Sequence, residues 1–279
     1  MDLKAGLERI RAKYERPDAL AMDPLSIPLR YREDSDREVA AWVAAHLAYG
    51  RVAPMLRAIA AALEPLGPSP SGWLRRAKAG DLADLGAGLA AWKWRFHTGP
   101  DLVAWLAAWQ RLDAESGQGL EAHLLPAPGV AADAQLSALV QRLRRELPTS
   151  PGLRFSLPDP QAGSACKRWR MFLRWMVRTG WPDLGLWRRY PADALVIPLD
   201  THVARVSRFI GLTHRATPDG RMAQEITSAL RSADPGDPLK YDFALSHLGI
   251  LGDCPGVRRL PGCRSCPLVG VCRAGKNGR

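Results

Sequence analysis

Residues 196–212 read VIPLDTHVARVSRFIGL, and this stretch predicts where one helix begins and ends. An apolar approach ends at Asp200, whose carboxylate can cap a helix that starts at Thr201. Gly211 can end that helix, because glycine readily adopts the left-handed conformation found at helix ends. The aspartate is either a capping group alone or also a charge at the helix mouth that can oppose a developing positive charge. The predicted buried face of the helix consists of Val203, Val206 and Ile210.

The rest of the chain shows helical periodicity rather than the alternation typical of strands. Residues 35–38 (SDRE) have the form of a capping box that opens a helix over 36–49, ended by Gly50. No alternating run of β-branched residues is long enough to demand a sheet. The sequence therefore predicts an all-α protein, with further helices at about 2–15, 54–63, 131–147, 165–179, 219–232 and 238–251, and two or three within 73–111.

A helix that begins near Cys166 is predicted to carry two different faces. Its apolar face would be core, and its basic face is either a solvated surface or a surface for phosphates. Neighbouring guanidinium groups would disfavour protonation of Lys167, which would make its amine available as a nucleophile. At 100° per residue the basic face holds Lys167, Arg170, Arg174 and Arg178, and the apolar face holds Trp169, Phe172 and Met176.

Four of the five cysteines lie near the end of the sequence with the spacing Cys-x8-Cys-x2-Cys-x5-Cys. Four thiolates on one short loop can hold a metal centre. Zinc sites usually pair two Cys-x2-Cys knuckles across a longer gap, and only one knuckle is present here. The spacing favours a 4Fe-4S cluster over zinc, with the ligands Cys254, Cys263, Cys266 and Cys272.

The composition indicates a basic globular protein of a reducing compartment. The chain has 39 Lys and Arg against 28 Asp and Glu, a net charge of +11, which favours a polyanionic partner such as nucleic acid. The first twenty residues are charged throughout, so a signal peptide is not expected, and no apolar run is long enough to span a membrane. An odd cysteine count argues against a disulfide framework and for the cytosol.

Several segments carry a resemblance to a known family. The order of a lysine-bearing helix, a Leu-Asp-Thr-His-Val helix start and a four-cysteine ending resembles the helix-hairpin-helix DNA glycosylases of the endonuclease III type. The likeness extends over most of the chain and is weakest over 64–147. The segments most similar to a bacterial branch of that superfamily, catalogued as a domain of unknown function, are YGR at 49–51, GSACKRWRMFLRWMVR at 163–178, IPLDTHV at 197–203 and KYDFALSHLG at 240–249.

The resemblance implies a two-lobed helical fold with an active-site cleft between the lobes. Residues 36–199 would form a helical barrel domain with the hairpin, and residues 1–35 with 200–279 a discontinuous domain that bears the cluster. Asp200 matches the essential aspartate of the family, and Lys167 matches the lysine that forms a Schiff base with the sugar in bifunctional members. The four cysteines match the cluster ligands. We therefore expect a monomer in the cytoplasm, associated with the nucleoid.

The expected partner is double-stranded, damaged DNA. Three departures from the family pattern bear on this expectation. Only Gly163 remains of a hairpin turn that is Gly-hydrophobic-Gly in the family, residues 180–195 are inserted between Lys167 and Asp200, and the first cysteine gap is two residues wider. Trp92, Trp94 and Phe96 are the best candidates for stacking on bases. The residues expected to contact DNA are Gly163, Ser164, Arg170, Arg174, Arg178, Arg205 and Arg208.

The expected activity is base excision repair by a DNA glycosylase that cleaves the N-glycosidic bond of a flipped-out base. With Lys167 as nucleophile the enzyme would also be an AP lyase, and with water as nucleophile it would be a hydrolase only. Two alternatives stay open. One is a non-catalytic protein that binds DNA structures on the same scaffold, and the other is a zinc-binding module for nucleic acid or protein.

Overall fold

The computed structural model describes residues 2–254, 256 and 261–273, and for Pro261 only the backbone. The prediction of a helical protein is confirmed, since 63% of the structure is helical and strand is scarce. The strands are β1 (Lys93–Trp94) and β2 (His97–Thr98), which pair antiparallel. Within the described residues, no helix has the length and apolar character that a membrane span requires.

The helices follow one another with short connections. Single turns of 3-10 helix cover Pro24–Ser26, Pro28–Arg30, Glu64–Leu66, Ala192–Ala194 and Pro238–Tyr241. The α-helices are α1 (Leu3–Tyr14), α2 (Pro17–Ala21), α3 (Asp34–Leu47), α4 (Val52–Leu63), α5 (Pro70–Arg76), α6 (Ala79–Gly88), α7 (Gly99–Ser116), α8 (Glu121–Leu124), α9 (Ala132–Glu146), α10 (Pro151–Ser156), α11 (Lys167–Val177), α12 (Thr201–Ile210), α13 (Gly220–Ala233), α14 (Asp242–Ile250) and α15 (Pro261–Arg264).

The larger of two hydrophobic cores is built around α3. Every residue of this helix from Val39 to Leu47 is buried, and α11 packs against it. The indole of Trp42 stacks on that of Trp105 at 4.2 Å between ring centroids, and Trp169 meets both edge-on. Apart from Leu239, this core draws its buried residues from 25–195.

The smaller core joins the two ends of the described chain. Leu7, Ile10 and Tyr14 of α1 pack with buried residues of α12, α13 and α14. The apolar approach to Asp200 also belongs here, because Val196, Ile197 and Leu199 are buried in this cluster. Chain segments distant in sequence therefore share one core, while the domain boundaries given above stay a prediction.

The predicted capping box at the start of α3 is wrong. The helix begins at Asp34, and no side chain caps it. Asp36 is instead buried and accepts hydrogen bonds from the backbone amide and the hydroxyl of Ser71 at 2.8 and 2.6 Å. Glu38 is also buried, where it accepts hydrogen bonds from Trp109 and Trp187. Tertiary contacts thus use Glu38, which the sequence pattern assigned to the cap, and its neighbour Asp36.

The inserted segment 180–195 is part of the larger core. Trp187 packs edge-on against Phe172 of α11, with 5.5 Å between ring centroids. The carboxylate of Asp183 is fully buried and pairs with Arg174 of that helix and with Arg178 directly after its end. The insertion therefore covers the side of α11 that carries arginines.

Candidate functional site

A pocket of about 530 Å³ lies between the two cores. The larger core supplies Ala48, Met55 and Trp175 to its wall, and the smaller core supplies Leu199. Ligand sites in proteins typically have volumes of about 300–1,000 Å³ and combine apolar walls with a few polar groups. The wall has both components, so this pocket is the best candidate for a functional site in the described part of the chain.

One face of α11 forms a side of the pocket. Lys167, Met171, Arg174 and Trp175 all line it, which is the spacing of successive turns on one side of a helix. Lys167 is the first residue of the helix and follows Cys166, which is buried and has a left-handed backbone with φ of 49°. The start of the helix thus brings the predicted amine to the pocket.

Asp200 reaches the same pocket from α12. As predicted, it caps this helix, since its Oδ1 accepts a hydrogen bond from the Val203 amide at 2.7 Å. The predicted end at Gly211 is confirmed by its left-handed φ of 80°, and Val203, Val206 and Ile210 are buried. The structure therefore brings Asp200 and Lys167 to one pocket, and the insertion between them does not remove Lys167 from it.

His202 also lines the pocket, and its place depends on a glycine. A Cβ atom at Gly249 of α14 would lie 2.3 Å from His202 Nδ1, which no real pair of atoms tolerates. The Gly249 position therefore lets α12 and α14 approach closely. The imidazole Nδ1 lies 3.3 Å from the guanidinium of Arg205, which in turn donates to the Cys254 carbonyl at 2.8 Å.

Sequence reasoning missed Asp242, a carboxylate in the pocket wall. It is 4% exposed, and its Oδ2 accepts a hydrogen bond from the Arg174 guanidinium. Burial raises the pKa of Asp242 to about 7, Arg174 opposes the rise, and the charges of Asp200 and Asp183 add to it. The only signal in the sequence was its place within KYDFALSHLG, one of the segments that carried the resemblance.

The predicted basic stripe on α11 is wrong, because its arginines are covered. Arg170, Arg174 and Arg178 are 2%, 4% and 8% exposed. Each is held by carboxylates, so none presents a free guanidinium to a phosphate. The pairs are Arg170 with Asp133 at 2.6 Å, Arg174 with Asp183 at 3.0 Å and with Asp242, and Arg178 with Asp183 at 2.8 Å and with Asp237 at 2.9 Å. The opposite, apolar face is core as predicted, with Trp169, Phe172 and Met176 fully buried.

The other predicted DNA contacts lie at or near the surface. Gly163 has a φ of 83° and is exposed in the turn between α10 and α11, with its carbonyl accepting from the Gly220 amide at 2.9 Å. The Ser164 hydroxyl accepts from the Cys166 amide at 3.2 Å. Arg208 is exposed on α12 and donates to the Ala216 carbonyl at 3.3 Å. These residues, unlike the α11 arginines, remain available to a partner.

An aromatic and basic rim, which sequence reasoning had recognised in part, borders the pocket. Tyr49 lines the pocket and stacks on Phe96, which is 48% exposed at the turn between β1 and β2. Trp92 and Trp94 are partly buried against the larger core, and their indoles donate to the carbonyls of Ala58 and Leu47. The side chain of exposed Arg95 lies over Gly50, a residue of the pocket wall.

The four C-terminal cysteines lie near one another. Burial raises the pKa of the Cys266 thiol, and the neighbouring thiols of Cys272, Cys254 and Cys263 contribute to the rise. Over residues 2–254, 256 and 261–273, no three Cys, His, Asp or Glu side chains are arranged as a ligand set for a metal ion. Four neighbouring cysteine side chains are nevertheless the type of ligand set that an iron–sulfur cluster uses.

Comparisons with known proteins give one match. A comparison with curated proteins found no match, and neither did one with solved structures. Residues 23–251 match the model of a family described as "Protein of unknown function (DUF2400)". The matched range includes Lys167, Asp200 and Asp242, and ends before the cysteines. Because the match extends over most of the chain, the protein belongs to this family.

Proposed function

We propose that the protein is a helix-hairpin-helix DNA glycosylase that removes a base from DNA. The observation that supports this most is that Lys167 and Asp200, which the resemblance assigned to chemistry, line one pocket although they come from different helices. The pocket volume of about 530 Å³ suits a single nucleotide unit rather than a polymer segment. A base in a duplex must leave the stack to enter such a pocket.

The proposed chemistry uses the negative charge of the Asp200 carboxylate and the amine of Lys167. Cleavage of the N-glycosidic bond produces an oxocarbenium-like sugar, which the Asp200 carboxylate stabilises. If the Lys167 amine attacks the anomeric carbon, an imine forms and β-elimination of the 3′-phosphate follows, which is AP lyase activity. If water attacks, the reaction ends at base release.

We propose that DNA contacts surround the pocket rather than follow α11. Arg51 and Arg95 are exposed beside the pocket and form no ion pair within the described residues. Gly163, Ser164, Arg205 and Arg208 stay candidates for the backbone of the duplex. The net charge of +11 is consistent with this partner.

We propose that Cys254, Cys263, Cys266 and Cys272 hold a 4Fe-4S cluster. Such a group would organise the chain after α14, where the Cys254 amide donates to the Leu248 carbonyl at 2.8 Å. No step of the proposed reaction uses it. The zinc alternative predicts a colourless protein with one zinc ion.

A second candidate is a non-catalytic protein that binds DNA structures. The turn before α11 favours it, because Gly163 is the one glycine between α10 and α11, whereas the hairpin of the family has two. Such a protein would bind DNA in the same orientation but release no base, with or without Asp200.

Borohydride trapping tests the proposal. Wild-type protein is incubated with duplexes that contain an abasic site, an oxidised purine, an oxidised pyrimidine, uracil or an alkylated base. We expect base release from at least one duplex and a covalent complex that disappears in Lys167→Ala. Lys13→Ala is the matched control, because Lys13 pairs with Asp253 outside the pocket. Trapping that survives in Lys167→Ala would remove the lysine from its role, and no release from any duplex would contradict the glycosylase.

A further inference from the structure

Asp242 holds a polar atom that the protein leaves without a partner. Its Oδ2 accepts from Arg174, but its Oδ1 is buried and forms no hydrogen bond with any described residue. Buried polar atoms in proteins are almost always hydrogen-bonded, because an unpaired one costs free energy. An unpaired buried oxygen on a residue that lines the pocket therefore calls for a proton, a ligand or both.

The charges around Asp242 explain why a proton would sit there. Arg174 is shared with Asp183, so one guanidinium serves two buried carboxylates. Asp200 lies in the same pocket wall and adds a third negative charge. Two carboxyl groups that share a site do not both ionise readily, and the more buried one keeps the proton. The other titratable or charged groups of the surrounding elements are Asp23, Lys167, Arg178, His202, Asp237, Lys240 and His247.

A second atom of the same wall has the same property. Trp175, one turn after Met171 on α11, lines the pocket with its Nε1–H buried and unpartnered. This N–H can only donate, and a protonated Oδ1 also donates. A ligand with hydrogen-bond acceptors, such as a nucleobase, would satisfy both atoms.

We propose that Asp242 is a second catalytic residue of the pocket, which protonates the departing base while Asp200 stabilises the sugar. This inference rests on the proposed glycosylase function. The proton on Asp242 Oδ1 moves to a ring nitrogen or exocyclic oxygen of the base as the bond to the anomeric carbon breaks. The electron pair of that bond stays with the base. Water then adds to the sugar cation, and its released proton restores the Asp242 carboxyl.

A titration tests the protonated state without requiring activity. Protein with ¹³C-labelled aspartate carboxyls is titrated from pH 4 to 9 by NMR. Burial raises the pKa of Asp242 to about 7, so we expect one signal with a midpoint near that pH, absent from Asp242→Asn. In Asp200→Asn the midpoint should fall, because a neighbouring negative charge is gone. If the Asp242 carboxyl is fully ionised above about pH 5, the proposal is overturned.

Base-release rates test the role in the reaction. A neutral base needs a proton to leave, whereas 7-methylguanine in DNA is already cationic and leaves without one. We expect Asp242→Asn to slow release of a neutral base by about 10²- to 10⁴-fold and 7-methylguanine by only a few fold. If the wild type releases only neutral bases, the pH profile decides. The wild-type rate should fall above about pH 7, and the rate of Asp242→Asn should not.

The matched control is Asp133→Asn. Asp133 pairs with the buried Arg170 of α11 but does not line the pocket. Structural damage should slow both kinds of base equally in this variant. Equal slowing in Asp242→Asn, or wild-type rates in it, would overturn the acid role alone. A wild-type protein that releases no base would overturn the glycosylase proposal as well, so the two failures are distinguishable.

Discussion

Asp200 has two functions that one substitution can separate. As a cap it accepts the Val203 amide, and in the pocket it presents a negative charge. Asparagine caps helices about as well as aspartate but carries no charge. Asp219 caps α13 in the same way, through the Met222 amide at 2.8 Å, but does not line the pocket.

We predict that Asp200→Asn abolishes most base release while changing stability by less than about 0.5 kcal/mol. Single-turnover rates and denaturant unfolding are the two measurements. Asp219→Asn should retain the wild-type rate. A large loss of stability in Asp200→Asn with unchanged rate per folded molecule would assign the residue to capping alone.

The role of a single residue could be predicted where it depends on residues adjacent in sequence. An apolar run before Asp200, a helix start after it and Gly211 at the end are all local in sequence. Asp242 could not be predicted in this way, because its burial depends on Arg174, which is 68 positions away. An aspartate before an apolar helix is typical of an ordinary helix start, and only the tertiary structure shows that Oδ1 of this carboxyl lacks a hydrogen bond.

At the scale of elements, Glu38 connects α3 with three other parts of the larger core. Its carboxylate accepts the indole N–H of Trp109 from α7 at 3.1 Å and that of Trp187 from the inserted segment at 2.8 Å. It also accepts the Leu120 amide at 3.2 Å. All of these partners are donors, so an amide side chain in this place would direct its own N–H groups against at least one of them.

We predict that Glu38→Gln lowers the free energy of unfolding by about 2 kcal/mol, because a buried donor loses its acceptor. Urea unfolding measures this change. Glu146→Gln is the control, since its ion pair with Arg142 is near the surface and such pairs contribute little. Equal effects of the two variants would contradict the role given to Glu38.

The stability difference between wild type and Glu38→Gln should depend on pH, and the sign follows from the pKa of Glu38. Burial raises the pKa of Glu38 to about 7, from an ordinary value of 4.5. Between these two values the folded protein holds a proton that the unfolded chain has lost, so stability falls as pH rises through this window. The stability difference between wild type and Glu38→Gln should therefore be largest below about pH 4.5 and smallest above about pH 7. A difference that grows with pH would contradict the raised pKa.

The rim beside the pocket gives a prediction for DNA binding. Arg51 and Arg95 are exposed, and each phosphate contact contributes about 0.9 to the slope of log affinity against log salt. We predict that the double variant Arg51→Ala, Arg95→Ala lowers this slope by about 2 in fluorescence anisotropy titrations. Arg142→Ala is the control, because this guanidinium already pairs with Glu115 and Glu146. An unchanged slope in the double variant would exclude the rim from the interface.

The helices themselves could be predicted from periodicity, but their surroundings could not. The 3.6-residue period correctly assigned Trp169, Phe172 and Met176 to the core. It also placed the arginines of α11 together, yet it could not show that Asp133, Asp183, Asp237 and Asp242 cover them. The capping box failed for the same reason. The donors to Asp36 and Glu38 are Ser71 and two tryptophans, which are far away in sequence.

At the scale of the whole molecule, the two ends of the described chain meet in the smaller core, beside the cysteines. Leu268, between Cys266 and Cys272, is buried in that core. A Cβ atom at Gly6 of α1 would lie 3.2 Å from the Leu268 side chain, so the first helix packs directly on the cysteine segment. A metal centre in this segment would therefore stabilise the packing of both ends.

We predict that anaerobically purified protein contains about four irons and absorbs near 400 nm. Replacement of Cys266 by serine should remove most of the iron and lower the melting temperature, because metal binding contributes to folding of such segments. Cys166→Ser should retain the iron, since Cys166 lies in the larger core. One zinc ion in place of iron would contradict the cluster.

The contact between Arg174 and Asp242 joins α11 of the larger core to α14 of the smaller one, directly in the wall of the pocket. Rotating the two halves apart would break this buried ion pair and take apart the wall of the pocket. This contact therefore argues against a hinge motion that opens and closes the two halves around a ligand. Under the proposed function, the cavity exists before the DNA binds, and the deformation needed for entry falls on the DNA.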